Sequence, residues 1–280
     1  MEHELRDRYI DLLKQTLCAS LYDESSWRRV EGPMAQDGLA LSARVKRKIV
    51  SALRRRGLIL VRTVPYDAEI RRQGLDWPLF GYTMTGRSRL DTLERLTNDI
   101  LENDIPGDIV ETGVWRGGSM MLVAALLKLR NATDRTIWLA DSFEGMPKPT
   151  ESDNTKSHKE DFSDRDYLSV SIDRVKSAFE RFDLGGDNLR FLKGWFSDTL
   201  PSAPIGKIAL LRLDGDLYES TRDALLPLYD KVAIGGYIIV DDYNSWIGCK
   251  RAVDEFREDR GIESPIIRID AHAVYWQRTE

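Results

Sequence analysis

Cysteine is scarce in this chain: only Cys18 and Cys249 occur among 280 residues, far apart in sequence. A disulfide framework needs more of them, so a reducing cytoplasm is the expected compartment. Long apolar runs are also missing, and none approaches the roughly 20 residues of a membrane span. The start, Met1-Glu2-His3-Glu4, mixes acids and bases, which is not the pattern of a signal peptide. Neither is there an excess of positive charge, since 41 Lys and Arg stand against 46 Asp and Glu, a net charge of −5. That balance argues against nucleic acid as a partner, because phosphate backbones reward a concentrated basic surface.

What is present is the length and composition of an ordinary globular chain, enough for one α/β domain with an appendage. Its character changes near residue 105. Residues 1–104 read as a helical cap or extension, with Tyr9, Leu12, Leu13, Thr16 and Leu17 at helical spacing. Ser42 to Leu60 is a basic helical stretch striped by Val45, Ile49 and Leu53. Its Arg54-Arg55-Arg56 run lacks interleaved aromatics, so a solvated helix face is expected rather than a nucleic-acid site.

Residues 105–280 alternate short apolar strands with amphipathic helices. Strands are expected at Asp108 to Glu111, Thr136 to Ala140, Asn188 to Leu192, Ile208 to Leu213 and Tyr237 to Val240. Helices are expected at Gly117 to Leu129, Tyr167 to Phe182, Thr221 to Tyr229 and Lys250 to Arg260, the last closed by Gly261. Ile266 to Ile269 and Ala273 to Trp276 are separated only by Asp270-Ala271-His272. So short a link permits a hairpin but no crossover helix, making this pair antiparallel. Such an alternation gives an α/β fold, a parallel sheet with helices on both faces. The terminal hairpin makes it the Rossmann-like seven-stranded methyltransferase sheet. Lys148 to Asp166, polar and long for a connection, reads as a lid.

A glycine-rich turn joins the first of these strands to its helix in Glu111-Thr112-Gly113-Val114-Trp115-Arg116-Gly117-Gly118-Ser119. The dinucleotide spacing G-x-G-x-x-G is absent, which disfavours a pyrophosphate ligand and an NAD-binding reductase. The spacing E-x-G-x-x-x-G suits the nucleoside and amino-acid portions of S-adenosylmethionine. Glu111, Thr112, Gly113, Arg116, Gly117, Gly118 and Ser119 are therefore candidate cofactor contacts. At the end of the second strand, Asp141 is placed to accept from ribose hydroxyls, with Ser142 beside it. After the third, Gly194, Ser197 and Asp198 would meet the adenine, while Trp195 and Phe196 serve either as stacking partners or as core.

The carboxylates converge at the ends of the fourth and fifth strands, in Leu213-Asp214-Gly215-Asp216 and Val240-Asp241-Asp242-Tyr243. Parallel strands open on one edge, so these acids would repel one another unless a cation joined them. Oxygen donors without Cys or His nearby point to Mg²⁺ rather than zinc. Such an ion lowers the pKa of a coordinated hydroxyl and fixes its oxygen toward a sulfonium methyl, leaving one carboxylate to take the proton. The alternative for Asp214 or Asp242 is helix capping.

Asp108 to Gly118, Ala140-Asp141-Ser142-Phe143-Glu144-Gly145, Gly194-Trp195-Phe196, Leu213-Asp214-Gly215-Asp216 and Asp241-Asp242-Tyr243 together resemble the macrocin O-methyltransferase family of antibiotic biosynthesis. The similarity runs from about Tyr9 through Trp276. It implies an S-adenosylmethionine- and Mg²⁺-dependent transfer of methyl to a deoxysugar hydroxyl on a glycosylated natural product. It also implies Asp214, Asp241 and Asp242 as metal ligands, with Asp214 additionally as base and cofactor neighbour. Thr83-Met84-Thr85-Gly86 and Arg89-Leu90 resemble the family's segment packed across cofactor and acceptor, adding Thr83 and Met84 to the cofactor contacts. The basic insert at 42–60 departs from shorter members.

A catechol or phenolic acceptor is the alternative, although Leu217 and Tyr218 stand where catechol methyltransferases carry a basic lysine. The cap is expected to cover the active site and to join a homodimer or higher homo-oligomer. His3 and His272 are given no role. His158 in the lid is a weak candidate base, and Glu160, Asp161, Asp164 and Asp166 are either sugar contacts or solvated. Trp246 and Tyr243 line the acceptor pocket or pack in the core.

Overall fold

A computed structural model of the chain describes residues 2–21, 27–29, 43–76, 78–153, 161–163 and 165–280. The first helix, α1 (Glu2–Leu17), buries Ile10, Leu13 and Leu17, whereas Tyr9 and Leu12 of the expected stripe are exposed. The helix is rotated so that Lys14 is also covered, its ammonium bonded to Asp91 and Glu94. A short antiparallel ribbon of β1 (Trp27–Arg29) and β2 (Val61–Thr63) brackets the basic helix α2 (Ala43–Arg54). The helix stops before Leu60, and Lys48, Arg55 and Arg56 face solvent, in keeping with a solvated basic face. Next come α3 (Ala68–Gln73), capped by Asp67 and by left-handed Gly74, and α4 (Arg87–Glu102).

From residue 108 onward strands and helices alternate: β3 (Asp108–Thr112), α5 (Gly118–Leu129), β4 (Ile137–Asp141), α6 (Ile172–Arg181), β5 (Leu189–Lys193), α7 (Phe196–Thr199), β6 (Ile208–Leu213), α8 (Tyr218–Leu228), β7 (Val232–Val240) and α9 (Ile247–Asp259). The chain closes with β8 (Ile267–Arg268) and β9 (Val274–Gln277). The seven strands lie in the order β5-β4-β3-β6-β7-β9-β8, with β3 to β7 parallel and β9 antiparallel to both β7 and β8. This is the expected seven-stranded α/β sheet with its terminal hairpin.

Three boundaries differ from expectation for local reasons. Helix α6 begins at Ile172 and not at Tyr167, whose carbonyl instead accepts the Trp115 indole N–H at 2.9 Å. Helix α8 begins at Tyr218, before Thr221, where the Tyr218 N–H donates to Asp153 Oδ1 at 2.6 Å. Strand β7 runs back to Val232 through Gly235-Gly236, a pair that shifts the register against β6.

One core packs α1, α4, α5 and α6 on one face of the sheet. Helix α5 is buried on every side from Gly118 to Leu127, so its Met, Leu and Val side chains each contribute about 1.5–3 kcal/mol through removal from water. The other face is closed by α8 and α9 over Val110, Leu211 and Ile238. Strand order reverses between β3 and β6, the switch point where open α/β sheets hold ligands at their carboxyl ends.

Candidate active site

The parallel register places four functional positions level with one another. Thr112 pairs with Ala140 and Leu213, and Leu213 pairs with Val240. Hydrogen bonds then run one residue further, from Gly113 N to Ala140 O, Asp214 N to Thr112 O and Asp241 N to Leu213 O, each at 2.9 Å. Gly113, Asp141, Asp214 and Asp241 thus emerge side by side. Gly113 has φ +87°, and a Cβ there would lie 1.9 Å from the Asp214 carbonyl oxygen. Only glycine permits the two chains to approach so closely.

Two adjoining cavities open above this row, of about 250 and 280 Å³. Trp115, Met84, Met146, Leu168, Asp214 and Asp216 line both. The first cavity receives the expected cofactor positions Met84, Gly113, Asp141, Ser142, Gly194, Ser197 and Asp214. Asp141 is pinned there: Oδ2 accepts from Val114 N at 2.7 Å and Trp115 N at 3.3 Å, and Oδ1 from Phe143 N at 2.7 Å. Burial pushes its pKa upward, while the N–H donors favour its charge. Trp195 and Phe196 also face this cavity.

Other expected contacts lie elsewhere. Thr83, Glu111 and Ser119 line the second cavity, where the hydroxyls of Thr83 and Ser119 stand 3.4 Å apart. Thr112, Arg116, Gly117, Gly118 and Asp198 line neither. Gly118 receives the N-terminal segment, its N–H donating to Tyr82 O at 3.0 Å, where a Cβ would clash at 2.6 Å. The Arg116 guanidinium donates to the carbonyls of Leu79 and Gly81 at 3.1 and 2.6 Å. These residues fasten residues 79–83 across α5.

The second cavity holds the carboxylates. Ligand oxygens of Asp214, Asp241 and Asp242 lie within 4.8 Å of one another, and Asp216 lines the same wall. Asp242 Oδ2 is buried without a hydrogen-bond partner among the described residues. Burial, then Asp216 and Asp214, hold the Asp242 carboxyl well above the usual range. Burial and Asp214 raise Asp216 to about 8. Asp214 is raised by burial against the opposing pull of Arg212. Asp241 alone is lowered: burial disfavours its charge, but Arg212 and Arg89 prevail.

Two guanidiniums tie this set together: Arg212, which the sequence reading left unassigned, and Arg89, which it placed only in the segment packed across cofactor and acceptor. Arg212 donates to Glu111 Oε1 at 2.8 Å and Asp241 Oδ1 at 2.7 Å, and lies 2.9 Å from Asp214 Oδ2. Arg89 donates to Asp241 Oδ2 and, at 2.7 Å, to Asp270 Oδ2. The signal for Arg212 was available: a lone charge inside Ile208-Ala209-Leu210-Leu211-Arg212-Leu213 demands a buried partner. Glu111 has the matching peculiarity, pushed up to about 8 by burial despite Arg212. His272 also lines this cavity, its pKa lowered by burial and by Arg89.

Trp246 lines the second cavity and packs edge-on against Phe162, with ring centroids 5.5 Å apart, whereas Tyr243 is core and donates to Asp254. Asp161 is exposed, and Asp161 and Asp166 line neither cavity. His158, Glu160 and Asp164 lie outside the described residues. Among the described residues, no helix is long and apolar enough to cross a membrane.

The arrangement can hold a small cosubstrate in one cavity and an oxygen nucleophile near carboxylates in the next. Comparison with known proteins shows the family. The model of the family described as Macrocin-O-methyltransferase (TylF) matches residues 6–278. A demethyldecarbamoylnovobiocin O-methyltransferase of Streptomyces niveus is 48% identical over 76% of this chain and 82% of its own. A tetracenomycin-C rhamnosyl 4′-O-methyltransferase of Streptomyces olivaceus is 41% identical over 100% of this chain and 95% of its own. The solved structure of the O-methyltransferase NovP superposes with a TM-score of 0.82 at 39% identity, covering 98% of this chain and 100% of that one.

Proposed function

The chain belongs to the macrocin-O-methyltransferase family and is an S-adenosylmethionine-dependent O-methyltransferase, and we propose that it methylates a deoxysugar hydroxyl on a glycosylated natural product. The relatives' named substrates, a novobiocin precursor and a rhamnosyl tetracenomycin, support this class of acceptor. The observation that carries the reading is the shared wall between the cavities, where Asp214 and Asp216 face both.

S-adenosylmethionine would occupy the first cavity, with its ribose toward Asp141 and its sulfonium toward the shared wall. The acceptor would enter the second, between the aspartates and the apolar side chains of Leu75, Met84 and Trp246. An acidic face opposite an apolar one suits a sugar carrying both hydroxyls and a methyl substituent. Transfer makes an O–CH₃ bond as the S–CH₃ bond breaks, leaving S-adenosylhomocysteine and one proton. This chain's residues would hold the acceptor oxygen in line with the S–CH₃ bond and take that proton.

The donor set fits Mg²⁺: three carboxylates within reach of one ion, with the buried Asp242 Oδ2 lacking any other partner among the described residues. Asp214, Asp241 and Asp242 would hold it, and when bound it would supply a Lewis acid that lowers the hydroxyl pKa. Asp214 is one candidate base because it borders both ligands. Asp216 is a second, because it too borders both cavities and Arg212 pairs with Asp214 instead. We further place the protein in the cytoplasm as a homo-oligomer; the free, buried thiols of Cys18 and Cys249 support the reducing compartment.

The test is turnover of S-adenosylmethionine and Mg²⁺ against glycosylated acceptors and, separately, catechols. Methylation of a sugar with vicinal hydroxyls is expected, with loss of activity in a chelator. Turnover of catechols alone would overturn the sugar assignment, and turnover unaffected by chelation would overturn the metal.

A further inference from the structure

Both oxygens of Asp241 are engaged by guanidiniums. Arg212 holds Oδ1 at 2.7 Å and Arg89 holds Oδ2. The two arginines are anchored differently. Arg212 lies within β6 and is fixed from the far side by Glu111. Arg89 comes from the first turn of α4, and its second anchor is Asp270 in the turn between β8 and β9. That turn is built to present Asp270: Oδ1 accepts from His272 N and Ala273 N, both at 2.8 Å, leaving Oδ2 for Arg89 Nε. The side chains of Arg89, Asp241 and Asp270 are 11, 5 and 4% exposed, so water screens their charges little.

From this geometry we infer that Arg89 is a resident counter-cation that competes with the divalent ion for Asp241, and that Asp270 sets the strength of the competition by sharing Arg89. The inference rests on the metal reading above. A guanidinium and a divalent cation on one carboxylate repel each other at close range in a poorly screened site. The arrangement holds Asp241 oriented before loading, at the cost of weaker metal binding. Removing the charge of Arg89 therefore tightens metal binding. Removing the charge of Asp270 frees Arg89 to bind Asp241 alone and weakens it. A merely structural role makes no such distinction, since loosening the cluster from either side would weaken binding.

The test is calorimetric titration of Mg²⁺, and of Mn²⁺ followed by paramagnetic resonance, into the S-adenosylhomocysteine complexes of wild type, R89Q, R89K, D270N and R89Q/D270N. Cofactor affinity, read in the same samples, reports whether each variant has folded, because neither position lines the first cavity. The expected result is about tenfold tighter Mg²⁺ in R89Q, little change in R89K, and about tenfold weaker Mg²⁺ in D270N. The double variant should follow R89Q, because Asp270 acts only through Arg89. Metal affinity unchanged or weakened in a folded R89Q overturns the inference while leaving the metal site intact. Mg²⁺ binding by R89Q but not by wild type supports the competition and overturns the metal reading for the native chain. Absence of binding in both overturns both.

Discussion

Glu111 of β3 stands directly across from Arg212 of β6, and the pair is joined by a 2.8 Å hydrogen bond beneath the carboxylate cluster. Glu111 Oε2 is buried with no hydrogen-bond partner among the described residues. The glutamate therefore supports the arginine that orients Asp214 and Asp241, and it does so from a site hostile to its own charge.

This has a consequence for stability against pH. Burial raises Glu111 to about 8 in the folded chain from an ordinary 4.5. A carboxyl raised on folding binds more protons folded than unfolded between those values, so its contribution to stability is full below about 4.5 and is lost as pH rises toward 8. Asp216, also raised to about 8, works in the same direction. Urea unfolding of metal-free protein from pH 5 to 8 should show falling stability, with a shallower slope in Glu111→Gln. An equal slope in that variant removes Glu111 from the account.

The two ligand roles separate cleanly in a double substitution. Asp241→Ala/Asp242→Ala should retain S-adenosylhomocysteine binding, since neither residue lines the first cavity, and should lose Mg²⁺ binding. Calorimetry reads both. Loss of cofactor binding in a folded double variant would place these carboxylates in the cofactor site instead.

Asp214→Asn and Asp216→Asn distinguish base from ligand. If Asp216 takes the proton, Asp216→Asn should lower kcat by about 10²–10⁴-fold with metal affinity retained. Asp214→Asn should then lose metal binding and activity together. Metal retained with turnover lost in Asp214→Asn returns the base to Asp214.

Gly113→Ala tests the level row of strand ends. The Cβ would meet the Asp214 carbonyl at 1.9 Å, at φ +87°, so backbone and not a pliant side chain must yield. The variant should lose more than about 1 kcal/mol by denaturant unfolding, beyond the entropic gain such substitutions bring at compatible sites. Unchanged stability would show that the two strand ends can separate freely.

Much of this was legible in the sequence because it follows from strand ends. Asp141, Asp214, Asp241 and Asp242 each follow an apolar run, and in a parallel sheet such positions gather on one edge. The terminal hairpin was legible from its three-residue link. What stayed hidden depended on contacts between distant segments. Arg89 reaches Asp270 across 181 positions, and no local pattern announces that pair. Glu111 opens the glycine motif, and no local pattern announces that its side chain meets the neighbouring strand's arginine. Arg116 shared the motif too, yet its role is to grip carbonyls of residues 79 and 81.

The seam at Gly118 and Tyr82 bears on how such an enzyme can be rebuilt. The segment it fastens carries Thr83, Met84, Thr85 and Arg89 to one wall of the acceptor cavity, while the aspartates of the opposite wall hang from the sheet. Residues 105–280 alone would lack that wall together with α1 and α4, which pack in the core on one face of the sheet. Conversely, exchanging residues 78–86 for those of a relative replaces part of that wall without disturbing a strand. On the reading proposed above, acceptor choice would move with the exchanged wall, while the strand-end aspartates stay in place.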